Sequence, residues 1–234
     1  MRIDKYLTDC GICSRREAAA ACAAGRVQLN GHTIRRAATH VDPATQTLTF
    51  DDKVIPYQRY HYVLLNKPTG VVSATEDPKD TTVLDLLPPE YARLSLFPCG
   101  RLDKNTTGLV LLTDDGPMAH RLLSPAKHVE KEYSFTLREP LTSSAITMLQ
   151  EGVDIGEKVL TKPCRIRMET PQCGHIILTE GKYHQIKRMM QAVGCKILAL
   201  HRERFGSLVL EPELLPGMCR PLTQSELDTL RSYQ

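Results

Sequence analysis

No part of the 234-residue sequence approaches the roughly 18 consecutive apolar residues that would cross a bilayer. The opening stretch MRIDKYLTDCG is charged from its second residue and has no apolar export core. These two absences point to the cytoplasm and away from a membrane partner. Also missing are G-x-x-x-x-G-K-[ST], G-x-G-x-x-G after a strand, G-x-S-x-G and H-E-x-x-H. ATP-driven chemistry, dinucleotide chemistry, the nucleophile-elbow hydrolases and the zinc proteases are set aside with them, and no cofactor is expected. A metal site is short of ligands. Cys10 and Cys13 form a C-x-x-C, but a structural zinc needs a second pair, and Cys22, His32 and His40 match no standard spacing. The eight cysteines, scattered from Cys10 to Cys219, read as reduced thiols. There is no internal repeat and no low-complexity tract.

The composition, 41 % hydrophobic and 24 % charged, is that of a soluble globular protein. Its length suits one large domain or a small domain joined to a medium one. The net charge of +3 is unevenly spread. Residues 1–40 hold seven cations (Arg2, Lys5, Arg15, Arg16, Arg26, Arg35 and Arg36) against Asp4, Asp9 and Glu17, whereas the remainder is nearly neutral. Cations contributed by successive elements with few acids nearby predict a phosphate-binding face.

Local signals divide the chain. Ser14 and Glu17 form a capping box at the head of an alanine-rich helix that Gly25 stops. VQLNG and TLTFDDKVI read as hairpins. The predicted small domain covers 1–55 and PYQRY (56–60) is a linker. Over 61–234, strand-like runs such as HYVLLN, VVSAT, TVLDLL, GLVLLT, EYSFTL and KILAL alternate with short helices. This predicts an α+β fold with a mixed or antiparallel sheet. A second capping box, Thr223 to Glu226, opens the last helix.

Two stretches carry candidate chemistry. In GRLDKNTTGL, Asp103 sits between Arg101 and Lys104 in a polar loop before an apolar strand, with no turn or cap to account for it. Asp114-Asp115-Gly116, by contrast, reads as the turn that ends that strand. In GKYHQIKRMMQAVG, residues Ile186, Met189, Met190 and Val193 lie at helical spacing, with Tyr183 and Lys187 on a line flanking that apolar face. Lys187 is then partly buried and needs an anion.

These motifs, with NKPTGVV, HVEKEY and HRERFG, resemble those of the RsuA family of ribosomal RNA pseudouridine synthases over essentially the whole chain. The similarity is closest to the small-subunit branch, which acts on 16S ribosomal RNA. MRIDKYL…SRREA…GRVQLNG resembles the αL-motif RNA-binding fold of a small-subunit ribosomal protein. The resemblance implies that Asp103 is the catalytic aspartate, that Lys187 pairs with it, that Tyr133 stacks on the target base, and that Arg101 touches the flipped nucleotide. It also implies ribosomal RNA as partner. Nothing in the sequence demands a second chain, so a monomer is expected. A non-catalytic ribosome-assembly factor would suit the basic first domain but leaves GRLD unexplained. A hydrolase pairing Asp103 with Asp114 or Asp115 conflicts with the turn reading.

Overall fold

The computed structural model of the chain describes residues 1–124, 127 and 129–233. His128, the first residue of the HVEKEY motif, lies outside the described residues. The chain divides into two compact units. One comprises Met1–His61 with Leu87–Leu96, the other Tyr62–Leu86 with Phe97–Gln234.

In the first unit, α1 (Ile3–Asp9) and α2 (Arg15–Ala23) pack on a four-stranded antiparallel sheet. Its strands are β1 (Val27–Leu29), β2 (His32–Thr33), β3 (Leu48–Phe50) and β4 (Lys53–Val54), in the order β2-β1-β3-β4. The Ser14–Glu17 capping box forms, with both reciprocal hydrogen bonds. Asn30 and Gly31 both take positive φ between β1 and β2, as a two-residue turn between twisted strands requires. Ile3, Leu7, Ala18, Cys22, Val27 and Leu48 are sealed in the core.

Leu87–Leu96 is an addition that the sequence division placed with the larger part. Within the first unit Arg93 pairs with Glu17 at 2.5 Å. Leu94 packs so closely over Gly11 that a side chain there would collide with it.

The second unit is built on a nine-stranded mixed sheet. Along the chain come β5 (Tyr62–Lys67), β6 (Phe97–Pro98), β7 (Thr107–Thr113), α3 (Gly116–Leu123), β8 (Lys131–Leu137) and α4 (Ser143–Glu151). They are followed by β9 (Arg165–Met168), β10 (Cys173–Leu178), α5 (Gln185–Ala192), β11 (Ile197–Phe205), β12 (Leu208–Val209), β13 (Cys219–Pro221) and α6 (Gln224–Arg231). The main order is β13-β5-β7-β11-β8-β10-β9, with β6 paired to β7 and β12 to β11. The α+β class and the mixed sheet are as expected.

Among the strands of the described residues only β7 and β11 pair in parallel, with His201 opposite Thr107 and Arg202 opposite Gly108. That pairing positions the site. Two parallel neighbours start from the same end of a sheet, so the GRLD loop before β7 and α5 before β11 arrive side by side. At Gly108 (φ +103) the backbone of Arg202 approaches so closely that a Cβ would overlap its carbonyl oxygen.

VVSAT and TVLDLL form no strands. The Thr82 backbone N–H and hydroxyl both donate to the Asp85 carboxylate at 2.7 and 2.9 Å, which closes a turn. Ser73 is diverted to the GRLD loop. Local hydrogen bonding has overridden β-branched propensity.

Candidate active site

The loop bearing Asp103 is gripped from several sides. Ser73 Oγ accepts from the Leu102 N–H at 3.1 Å and donates to the Leu102 carbonyl at 3.0 Å. The Gly70 N–H donates to the Lys104 carbonyl at 2.9 Å, and Thr106 N–H to the Asp103 carbonyl at 3.0 Å. Lys104 pairs with Asp80 at 2.6 Å. Lys67, at the end of β5, is fully buried. Its ammonium donates to the carbonyls of Pro68, Lys104 and Thr106 at 3.1, 3.1 and 2.8 Å. Burial pulls its pKa down to about 8, the Asp103 charge acting against that and the Lys187 charge adding to it. NKPTGVVS is thus the structural partner of GRLDKNTTG.

The Asp103 carboxylate meets Lys187 Nζ at 2.7 Å and His184 Nε2 at 3.5 Å. The Asp103 and Lys187 side chains are 25 % and 34 % exposed, so solvent reaches the pair. Tyr133 lines the same cleft, buried on β8, and its hydroxyl has no hydrogen-bond partner among the described residues. Arg101 lines the rim and is exposed.

The helix carrying Lys187 begins later than its periodicity suggests. His184 adopts a left-handed conformation (φ 48°) and α5 starts at Gln185. Tyr183 is therefore off the helix rather than flanking its apolar face. It is 72 % exposed and stacks on the His184 ring at 3.8 Å between centroids. Ile186, Met189 and Met190 are buried as the apolar spacing requires, whereas Val193 is the partly buried C-cap.

Asp115 is committed elsewhere. One carboxylate oxygen caps α3 through the Met118 N–H and the other accepts from the Tyr62 hydroxyl at 2.5 Å. Neither Asp114 nor Asp115 lines the cleft, which leaves the carboxylate-pair hydrolase without its pair.

Three cations went unnoticed in sequence: Lys67, Lys131 and Arg202. Lys131 and Arg202 line the cleft of about 810 Å³ that opens beside Asp103. Lys131 Nζ donates to the Val129 carbonyl at 2.9 Å and lies 5.6 Å from the Phe205 ring centroid. Burial, and after it the neighbouring Arg202 charge, brings its pKa to about 8. The one available signal was alternation: KEYSFTL places Lys131 in phase with Tyr133, Phe135 and Leu137, all on the buried face.

The first unit's cations are unequally free. Arg2 pairs with Asp4 at 2.6 Å, Lys5 with Asp9 at 2.9 Å, and Arg26 with Asp51 at 2.5 Å. Arg35 donates to the Ala23 carbonyl at 2.9 Å. Arg15, Arg16 and Arg36 are exposed, and their side chains hold no hydrogen bond or ion pair among the described residues. Acids are therefore closer to this set than the charge count implied.

Comparison with known proteins gives this geometry its class. Residues 61–192 match the RNA pseudouridylate synthase family and residues 1–46 the S4 domain. The chain is 44 % identical over the full length of both proteins to an uncharacterized RNA pseudouridine synthase, YtzG, of Bacillus subtilis. It is 42 % identical to the ribosomal small subunit pseudouridine synthase A of Yersinia pestis, with 97 % of each chain covered. The Escherichia coli protein of that name is 41 % identical, with 97 % and 98 % covered. A crystal structure of a pseudouridylate synthase superposes with a TM-score of 0.69 at 35 % identity, covering 98 % of this chain and 99 % of that one. The chain belongs to the RNA pseudouridylate synthase family, in the RsuA group that its motifs resembled. It is an isomerase that acts on RNA, with an S4 domain at its N-terminus.

Proposed function

We propose that this protein converts a uridine of 16S ribosomal RNA to pseudouridine, with Asp103 as the catalytic carboxylate. The carrying observation is the Asp103–Lys187 pair at 2.7 Å in a cleft that also holds Tyr133. The small-subunit enzymes of Yersinia and Escherichia support the choice of RNA. A carboxylate with a cation alongside can act as nucleophile or base. The target nucleotide swings out of its stack into the cleft. Asp103 then either attacks the anomeric carbon or removes a ribose proton, and the detached base turns and rejoins through carbon. Tyr133 stacks on the base, and its free hydroxyl faces the cleft. Arg101, exposed at the rim, takes the neighbouring phosphate or the flipped nucleotide itself.

The S4 unit positions the RNA through Arg15, Arg16 and Arg36, with Arg2, Lys5, Arg26 and Arg35 joining where their internal partners yield. The protein acts as a monomer in the cytoplasm. Among the described residues no helix is long and apolar enough to cross a membrane. The assembly-factor reading leaves the Asp103–Lys187 cleft without a task.

The test is incubation with unmodified 16S and 23S ribosomal RNA, naked and as assembly intermediates, without cofactor, followed by pseudouridine mapping. Product at one 16S site is expected. Product only in 23S RNA overturns the substrate, and binding without product overturns the activity.

A further inference from the structure

We infer that the floor of the cleft is a subsite for the uracil ring in its detached, anionic form, with Arg202 and Lys131 as the cations that stabilise it. The inference rests on the proposed isomerisation at Asp103. Arg202 is 2 % exposed, and among the described residues only Nε of its guanidinium is bonded, to the Leu109 carbonyl at 2.7 Å. Its buried Nη2 has no partner among those residues, an uncommon state for a buried donor. Lys131, 9 % exposed, lies close enough to feel the Arg202 charge, and both cations sit over the Phe205 ring, at 5.6 and 5.3 Å from its centroid.

Two buried cations side by side repel each other and cost desolvation, so a folded protein keeps such a pair where an anion visits. No carboxylate of the cleft serves them. Asp103 is held by Lys187, and Glu180 Oε1 accepts from the Lys162 N–H and from Gln185 Nε2. Arg202 sits opposite Tyr133 on adjacent antiparallel strands, so both project from one face of the sheet.

A phosphodiester does not suit this position. It carries chain on both sides and stays at the mouth, where Arg101 and Lys104 are exposed. The base is the part that reaches the floor.

The chemistry supplies the anion. When C1′–N1 breaks, its electron pair passes to the base, whether Asp103 bonds C1′ or takes the proton from C2′. The charge spreads over N1, O2 and O4. Bonding of C5 to C1′ releases the Asp103 oxygen, or returns the C2′ proton, and the C5 proton ends on N1. Atoms and charge balance with no added reactant. Donors fixed where this charge develops act on the cleavage step itself.

The experiment compares uridine with 5-fluorouridine at the target position of one RNA fragment, in single turnover. Fluorine makes the base a better leaving group, so it has less need of the floor. Arg202→Gln should slow loss of the target N-glycoside by about 10²-fold on uridine and by less than about tenfold on 5-fluorouridine. RNA affinity should stay within about twofold, and Arg202→Lys should recover part of the rate. Equal deficits on the two substrates would overturn the inference. So would a deficit explained by lost affinity and a flatter salt dependence, which would mark a phosphate contact.

A measurement on the unaltered protein covers the case in which the variants do not fold. 5-Nitrouracil, ionised at neutral pH, should compete with RNA at least about tenfold better than thymine, as one fixed cation facing an anion predicts. Equal competition would sink the subsite. Absence of turnover by the wild type on either RNA would instead refute the proposed function.

Discussion

Asp103 and Lys187 are 84 residues apart in sequence and meet at 2.7 Å because β7 and β11 run in parallel. With both side chains reached by solvent, the pair contributes little to stability and is better explained by chemistry. Replacing Asp103 by Asn keeps the shape and removes both nucleophile and base. Pseudouridine formation should fall by at least 10³-fold, as for loss of a catalytic nucleophile or base, while RNA affinity and melting temperature hold. Turnover within tenfold of wild type would exclude Asp103 as the reacting group.

Lys187→Met should reduce the rate and leave the fold intact, because Ile186, Met189 and Met190 on the other side of α5 keep it docked. In a double-mutant cycle on stability, positions 103 and 187 should couple by about 1 kcal/mol or less, the range of partly exposed ion pairs. On the rate they should be strongly non-additive. Simple additivity in both readouts would show that the two groups do not act together.

The salt dependence of RNA binding follows from which cations are free. Arg15→Ala, Arg16→Ala and Arg36→Ala together should lower the slope of log affinity against log salt by about two units, roughly 0.7 per phosphate released. Substituting Arg2, Lys5 and Arg26 should do less, because each has an acid at 2.5–2.9 Å. Unchanged slopes in the first set would remove the phosphate face.

Lys131 gives a pH signature with two opposite signs. Its charge is present below about 8 and lost above it, so the turnover rate should decline as pH rises through 8. Lys131→Arg, which keeps its charge, should remove that limb. For stability the comparison is with Lys131→Met. An unfolded lysine keeps its proton to roughly 10.4. Between 8 and that value the unfolded chain binds more protons than the folded one, so wild type gains on the variant as pH rises, by at most about 1.4 kcal/mol per pH unit. A pH-independent difference in unfolding free energy would mean that the ammonium is not held in the low-dielectric floor.

Gly108→Ala should destabilise by about 2–3 kcal/mol or more, since φ is +103° and the added methyl meets the Arg202 carbonyl. Activity should fall further than the melting temperature suggests, because the same clash displaces Arg202. Chemical denaturation beside a rate measurement would separate the two effects.

What was legible in sequence follows the range of the forces. The capping boxes at Ser14 and Thr223 and the Asn30-Gly31 turn depend on neighbours a few residues away, and the structure contains all three. The inner face of α5 was visible at period 3.6, but its first turn was not. The left-handed conformation of His184 is one that histidine takes more often than most residues, but no local pattern marks this particular histidine for it. Buried cations were the largest omission. Lys67, Lys131 and Arg202 are of residue types usually found at the surface, and their partners come from segments distant in sequence: the Lys104 and Thr106 carbonyls for Lys67, the Leu109 carbonyl for Arg202 and the Phe205 ring for Lys131. The same holds for Leu87–Leu96, whose Leu94 and Arg93 meet Gly11 and Glu17, 83 and 76 residues earlier in the chain.

Lys67 can also be described as a coordination site. Three carbonyl oxygens at 2.8–3.1 Å around one positive centre are what a protein offers a bare potassium ion in place of its hydration shell. Here the ion is covalently tethered to β5 and cannot diffuse away. The loop holding Asp103 therefore keeps its shape whatever alkali metal the medium contains, and exchanging potassium for sodium at constant ionic strength should leave turnover at saturating RNA unchanged.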